Sequence, residues 1–368
     1  MTTVRRSLLK NSAAVAMPGF NFAQSPAVAG HSDFALQPGQ WRTFEVTTRA
    51  DIAKLEGMTR VWLPVPSVNS SYQQSLESSF SSNGAGKFMQ DGQDGAKMLH
   101  VEFAVDEASP FVELTSRVQT QSRRIDWAQK NAALEDADTQ RYFTRPADLI
   151  PTNGIIRKTA LAATRGATYD VKKTQKIYDW VVANTCREPK VRGCGEGDIQ
   201  TMLETANLGS KCADLNAIFI DLCRSAGIPA RVVYGIRLAP SRSGYKELSG
   251  NPASLKGARH CRAEAYPKSH GWVVMDPADV AKVMRPETPE WIKNTVDPVV
   301  APVNSALLGG WEGNWMAYNT AHYVRLPHSK GDKDGFFMCP MAKNASGWFD
   351  PYARDDFKHQ ITAKEIKA

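Results

Sequence analysis

The sequence predicts an α+β protein, with an all-β part followed by a part that runs from helices into strands. Three observations carry this. Val112, Leu114, Val118 and Thr120 alternate with Glu113, Thr115, Arg117 and Gln119, the signature of a half-buried strand. In "DVKKTQKIYDWVVANTC", Val171, Ile177, Trp180, Val181 and Val182 fall on one broad helical stripe. Strand-like runs then return in "ARVVYGIRLA", "HCRAEAY" and "GWVVMDP".

Taken in order, the chain opens on Arg5 and Arg6, a small-and-apolar stretch, and Ala27-Val28-Ala29. The last is a small-x-small cleavage pattern. Paired arginines before Ser-Leu-Leu-Lys resemble a bacterial twin-arginine export signal. Residues 1–29 are therefore expected to be a leader and the mature protein to be periplasmic or secreted. Cleavage after Ala29 removes three cations (Arg5, Arg6, Lys10) and no acid, taking the formal net charge from +7 to +4. That mild bias, without a basic stripe and interleaved aromatics, argues against nucleic acid as a partner. No apolar run reaches the length of a membrane span, so no stable insertion is expected after cleavage.

Residues 30–40 are Gly-, Ser-, Pro- and Gln-rich and read as a linker. Residues 41–135 read as the β-rich domain. "WRTFEVTTRA" and "RVWLPVPSV" are strands, the second ended or held at an edge by Pro64 and Pro66. Residues 81–97 form a glycine-rich loop or hairpin before "MLHVEFAVD". Residues 140–300 read as the α+β domain, and 301–368 as an aromatic-rich extension returning over it. Trp311, Trp315, Tyr318 and Tyr323 could wall a cleft or simply be core.

The stretch "GSKCADLNAIFIDLCRSAGIP" encodes the next helix. Ser210 is a good N-cap, Leu215, Ile218, Phe219, Leu222 and Ala226 form its apolar face, and Gly227 and Pro229 stop it. Cys212 thus falls in the first turn, where unpaired N–H groups and the macrodipole favour a thiolate. Its own N–H is free to hold an oxyanion. Lys211 would favour the thiolate further, and Asp214 would offset it. Cys223 lies on the same side but roughly 16 Å along the axis at ~1.5 Å per residue, and reads as core.

A thiolate nucleophile needs an imidazole, and the imidazole needs an acceptor. His260 begins one strand and Asp276 ends the next; a turn near 267–271 makes the two strands antiparallel and brings both residues to one end of the ladder. His260, Arg262 and Glu264 share a face, so Cys261 is expected to point away from the thiol site. His270, in the turn, is the competing base. Six cysteines are too few for a disulfide scaffold, but Cys186 and Cys194 flank a short loop and are the most plausible bridge. With no CxxC and no HExxH, no metal or cofactor is expected.

"GSKCADLNAIFIDLCRSAGIPARVVYGIRL", His260 with Glu264 and Tyr266, and "GWVVMDP" together resemble the transglutaminase-like superfamily, whose bacterial members share a papain-like core. The likeness covers roughly 145–280, and "VWLPVPS" is similar to the N-terminal region of some members. It implies Cys212 as nucleophile, His260 as base and Asp276 as orienter, acting on peptide or protein substrates by hydrolysis or transamidation. Three positions depart from the family's habit: Arg262 where a tryptophan is common, Lys211 before the cysteine, and Thr185-Cys186 after "WVVAN". They bear on substrate preference and leave the oxyanion donor unassigned. The alternatives are a non-catalytic peptide- or glycan-binding envelope protein on the same fold, and a structural envelope protein whose β domain is the working part.

Overall fold

The computed structural model describes residues 38–366 together with Phe34 and Leu36, apart from 54–55, 131–134, 148–149, 287–290, 330, 332 and 354–356. The expected leader, 1–29, lies outside the described residues. Within the expected linker, Phe34 and Leu36 are buried, and Phe34 packs edge-on against Tyr245 with ring centroids 5.4 Å apart.

Two antiparallel sheets form the β-rich part. One is ordered Lys358–Ile366, Arg42–Asp51, Phe111–Thr120, Gln73–Ser82; the other Gly347–Trp348, Met341–Asn344, Thr59–Pro64, Lys97–Phe103, Ala85–Gln90. Strand alternation places the core between them. Ala50, Val112 and Leu114 of the first sheet meet Val61, Leu63, Leu99 and Val101 of the second. The Phe111–Thr120 strand buries every second residue, as its alternation predicts. Pro64 ends its strand, which lies inside the sheet between two neighbours rather than at an edge.

A third antiparallel sheet is ordered Val273–Met275, Arg259–Ala265, Ala230–Arg237, Trp315–Asn319. The Cys212–Ser225 helix lies on it, covered in turn by the Gly154–Ala163 and Asp170–Asn184 helices. That helix is buried along almost its whole length because the sheet and the other helices enclose it. It stops as the sequence predicts: Gly227 is left-handed at φ 82°, and Ile228 N–H bonds the Cys223 carbonyl at 2.9 Å, a Schellman closure. Its start differs by one residue. Lys211 is the N-cap and makes no side-chain cap; Ser210 instead hydrogen-bonds the Asp214 carboxylate at 2.5 Å.

The segment beyond 300 divides. Trp315–Asn319 extends the third sheet, whereas Met341–Asn344, Gly347–Trp348 and Lys358–Ile366 return to the first two. Trp311, Trp315 and Tyr318 are buried. Trp311 and Trp315 pack with Tyr72 between the first and third sheets, ring centroids 5.1 and 5.4 Å apart, and belong to the core.

Candidate active site

Cys212 is the first residue of its helix, and its N–H has no acceptor among the described residues. The loop 193–197 closes over this helix start. Ala213 N–H donates to the Cys194 carbonyl at 2.9 Å, and Asp214 accepts from the amides of Glu196 (3.0 Å) and Gly197 (2.8 Å). Gly195 passes so close to the Asp214 carboxylate, at φ 133°, that any Cβ there would overlap it. This fastening brings the Cys194 sulfur against that of Cys212.

His260 and Asp276 meet as the antiparallel strands predict. His260 Nε2 lies 2.8 Å from Asp276 Oδ2 and 3.2 Å from Asp279 Oδ1. Nε2 is thereby committed to the carboxylates, leaving Nδ1 as the ring nitrogen open to the sulfur, and His260 is near enough to Cys212 to lower its thiol pKa. The structure thus brings Cys212, His260 and Asp276 together. Asp276 is fully buried. It caps the Pro277–Met284 helix by accepting from Asp279 N–H at 3.1 Å, and Arg262 Nε lies 3.3 Å from its Oδ2. Asp279 pairs with Arg237. His260, Asp276 and Asp279 offer ligand atoms within 4.8 Å of one another, but the two arginines already answer the carboxylates.

These contacts set the charges. Hydrogen bonds from Cys194, then Cys261, then His260 outweigh burial and hold the Cys212 thiol well below the ordinary range. Cys194 is raised because it keeps its proton to donate to Cys212, with burial adding to the effect. Burial and Arg237 push His260 down, but Asp276 and Asp279 prevail and hold it above its usual value. Burial and the Asp279 charge raise Asp276. Burial opposes the ionised form of Asp279, yet Arg237 and His260 hold it far below the carboxylate range. Arg237 and Lys282 are near enough for their charges to act on Cys212. Both shifts run in the direction that favours a thiolate beside an imidazolium.

Two expectations fail here. Cys186 and Cys194 are free thiols: Cys194 turns to Cys212, while Cys186 lies in the two-residue strand pairing with Gly209–Ser210. Cys261 does reach the Cys212 sulfur. Its strand packs under the Cys212 helix, whose Asn216 bonds the Cys261 carbonyl at 2.7 Å. Cys261, Ala263 and Ala265 share the core cluster of that helix, on the face opposite Arg262, which stacks on Trp311 and Trp315. His270 is held elsewhere, by Ser269 at 2.8 Å and the Trp127 carbonyl at 3.2 Å. Asp279, Arg237 and Cys194 are additions that sequence reasoning missed. "DPAD" carried a signal for the first: an Asp three residues after a capping Asp sits in the helix's first turn. Arg237 was findable by parity, two residues from Gly235, which pairs with His260.

Residues 157–277 match the family model described as Transglutaminase-like superfamily. An uncharacterized protein of Haemophilus influenzae is 30% identical over 331 residues, covering 84% of this chain and 87% of that one. A solved structure from Cytophaga hutchinsonii, provisionally assigned as a cysteine protease, shares the fold at TM-score 0.53 and 15% identity, over 90% of this chain and 93% of that one. The periplasmic domain of TgpA from Pseudomonas aeruginosa aligns at TM-score 0.38 and 16% identity, over 65% of this chain and 88% of that one. The family model spans the Cys212 helix and the strands of His260 and Asp276, and the Haemophilus relative extends the likeness to most of both chains; the chain belongs to the transglutaminase-like superfamily.

Proposed function

We propose that the protein is an exported thiol-dependent hydrolase acting on peptide or other amide bonds. The observation that carries this is the setting of His260: Nε2 bonded to Asp276 at 2.8 Å, with the ring near enough to Cys212 to lower its thiol pKa. The sulfur attacks the carbonyl carbon, and the Cys212 N–H at the helix start receives the oxyanion. His260 gives its Nδ1 proton to the leaving amine as the C–N bond breaks. Water, deprotonated by His260, then cleaves the thioester and returns the thiolate. An amine in place of water would give transamidation. Asp276 holds the ring and offsets its charge. The paired arginines at the start of the chain support a twin-arginine leader.

The test is alkylation of the purified protein with iodoacetamide and mapping of the labelled cysteine. Rapid labelling of Cys212 that persists at acid pH is expected; slow, equal labelling of all six cysteines would overturn the reading. A binding role on the same fold is favoured by one observation, that only 7% of Cys212 is exposed. Cys212→Ala separates the two, because it ends hydrolysis of a peptide library and leaves pure binding intact.

A further inference from the structure

His100, Glu102 and His328 form a second convergence of ligating side chains. It lies on the five-stranded sheet, none of whose strands carries a residue of the Cys212 site. His100 and Glu102 are two apart on the Lys97–Phe103 strand and so share a face. His328 follows the Val324–Arg325 strand, in a left-handed conformation at φ 61°. Glu102 Oε1 lies 3.4 Å from His100 Nε2 and 3.5 Å from His328 Nδ1.

His100 Nδ1 is 3.3 Å from the Val61 carbonyl, which can only accept, so the tautomer that satisfies this contact carries its proton on Nδ1. His100 is buried and stacked on Trp62, ring centroids 5.3 Å apart. With Nδ1 turned to the Val61 carbonyl, Nε2 faces the Glu102 carboxylate oxygen, and a cation between the two would meet a lone pair from each. Arg60 Nε, 2.8 Å from Glu102 Oε1, also donates to that oxygen. A backbone carbonyl that fixes the far nitrogen of a histidine is the usual support of a metal ligand.

The spacing points the same way. A tetrahedral ion with bonds of about 2.0–2.1 Å has ligand-to-ligand edges of about 3.3–3.4 Å. Two of the three edges, at 3.4 and 3.5 Å, are close to that length already, and all three atoms lie within 4.8 Å of one another. The His328 ring packs against that of His100, centroids 5.2 Å apart, and its side chain is 48% exposed, so an ion has a way in from solvent. We propose that His100 Nε2, Glu102 Oε1 and His328 Nδ1 bind a divalent transition metal of zinc-like, tetrahedral preference, with water in the fourth position. Such an ion would fasten the chain around His328 to the β-rich part.

The test uses the full chain carrying Cys212→Ser, stripped with chelator, dialysed and titrated with Co²⁺ while visible absorption is recorded. Expected are about one ion per chain, the bands of a tetrahedral nitrogen–oxygen site, and no thiolate charge-transfer absorption. His328→Ala, at an exposed position, should keep the circular dichroism of the parent and bind at least about tenfold more weakly. Glu102→Gln should weaken binding as well. No binding, unchanged affinity in His328→Ala, or a thiolate-to-cobalt band would each overturn the proposal.

Discussion

At the scale of single residues, the candidate site surrounds one proton with unequal neighbours. His260 faces two carboxylates, which shift it toward its charged form; Cys212 faces two thiols and His260, which shift it toward the thiolate. The alkylation rate of Cys212 should therefore stay nearly constant from neutral pH down to about pH 6, where an ordinary thiol near 8.5 would fall steeply. His260→Ala removes the cation and should slow labelling at about pH 6 by roughly one order of magnitude, since Cys194 and Cys261 remain to lower the thiol. A variant labelled as fast as the parent would contradict the ion pair. Stability should follow the same group. The His260 pKa is raised in the folded state, so its contribution is full below about pH 6.5 and is lost as pH rises through the folded value. Against a Cys212→Ala background, which removes the thiol's own titration, the Tm deficit caused by a second change, His260→Ala, should be largest in mild acid and shrink toward alkaline pH. Thermal melts of the two variants across that range check the sign.

At the scale of elements, the loop 193–197 is the part to perturb. Gly195→Ala would drive a methyl group into Asp214 and strain a positive φ, so the loop must leave the helix start. It should lower stability by about 1–3 kcal/mol and reduce peptide hydrolysis further than Asn207→Ala, a change in the half-exposed segment before Gly209. Equal activity in the two variants would show that the loop is not needed. Cys194→Ala removes the largest influence lowering the Cys212 pKa and should raise it, read from thiolate absorbance in the ultraviolet. How legible this was follows from the range of each signal. The Cys212 helix was readable at both its apolar face and its glycine stop because those signals are local. The meeting of His260 with Asp276 was readable because a short turn fixes the register. Cys194 was not, since nothing between residues 194 and 212 encodes that the loop folds back on the helix start. Cys261 was misread because alternation sorts the two faces but does not say which one a helix covers, and the Cys212 helix packs on the face of Cys261, Ala263 and Ala265.

At the scale of the whole molecule, the β-rich and α+β parts share one core. Phe44 and Val46 of the Arg42–Asp51 strand, and Ile361 of the last strand, belong to the same cluster as the Cys212 helix. Trp315 Nε1 bonds the His260 carbonyl at 2.9 Å, and Arg262 stacks on Trp311 and Trp315, its guanidinium 5.1 and 4.7 Å from the ring centroids. The back of the His260 strand is thus fixed by residues some fifty positions later in the chain. Pairings of this reach, above all that of Arg42–Asp51 with Lys358–Ile366, leave no periodic trace in sequence, which is why 301–368 reads only as an aromatic extension. Ending the chain at residue 357 should bare the edge of the Arg42–Asp51 strand and remove buried Ile361, worth about 1.5–3 kcal/mol on its own. The truncated protein should aggregate in size-exclusion chromatography, and a monomer of unchanged Tm would count against this. Because Thr43 stands directly across from Ile366, the backbone leaves its two outermost strands side by side, about 5 Å apart. A ring closed by a glycine linker that runs from Ile366 to a point ahead of buried Phe34 and Leu36, and reopened at the Ala345–Ser346 turn, should therefore fold, and the order of the polypeptide could be rewritten without moving the sulfur from its imidazole.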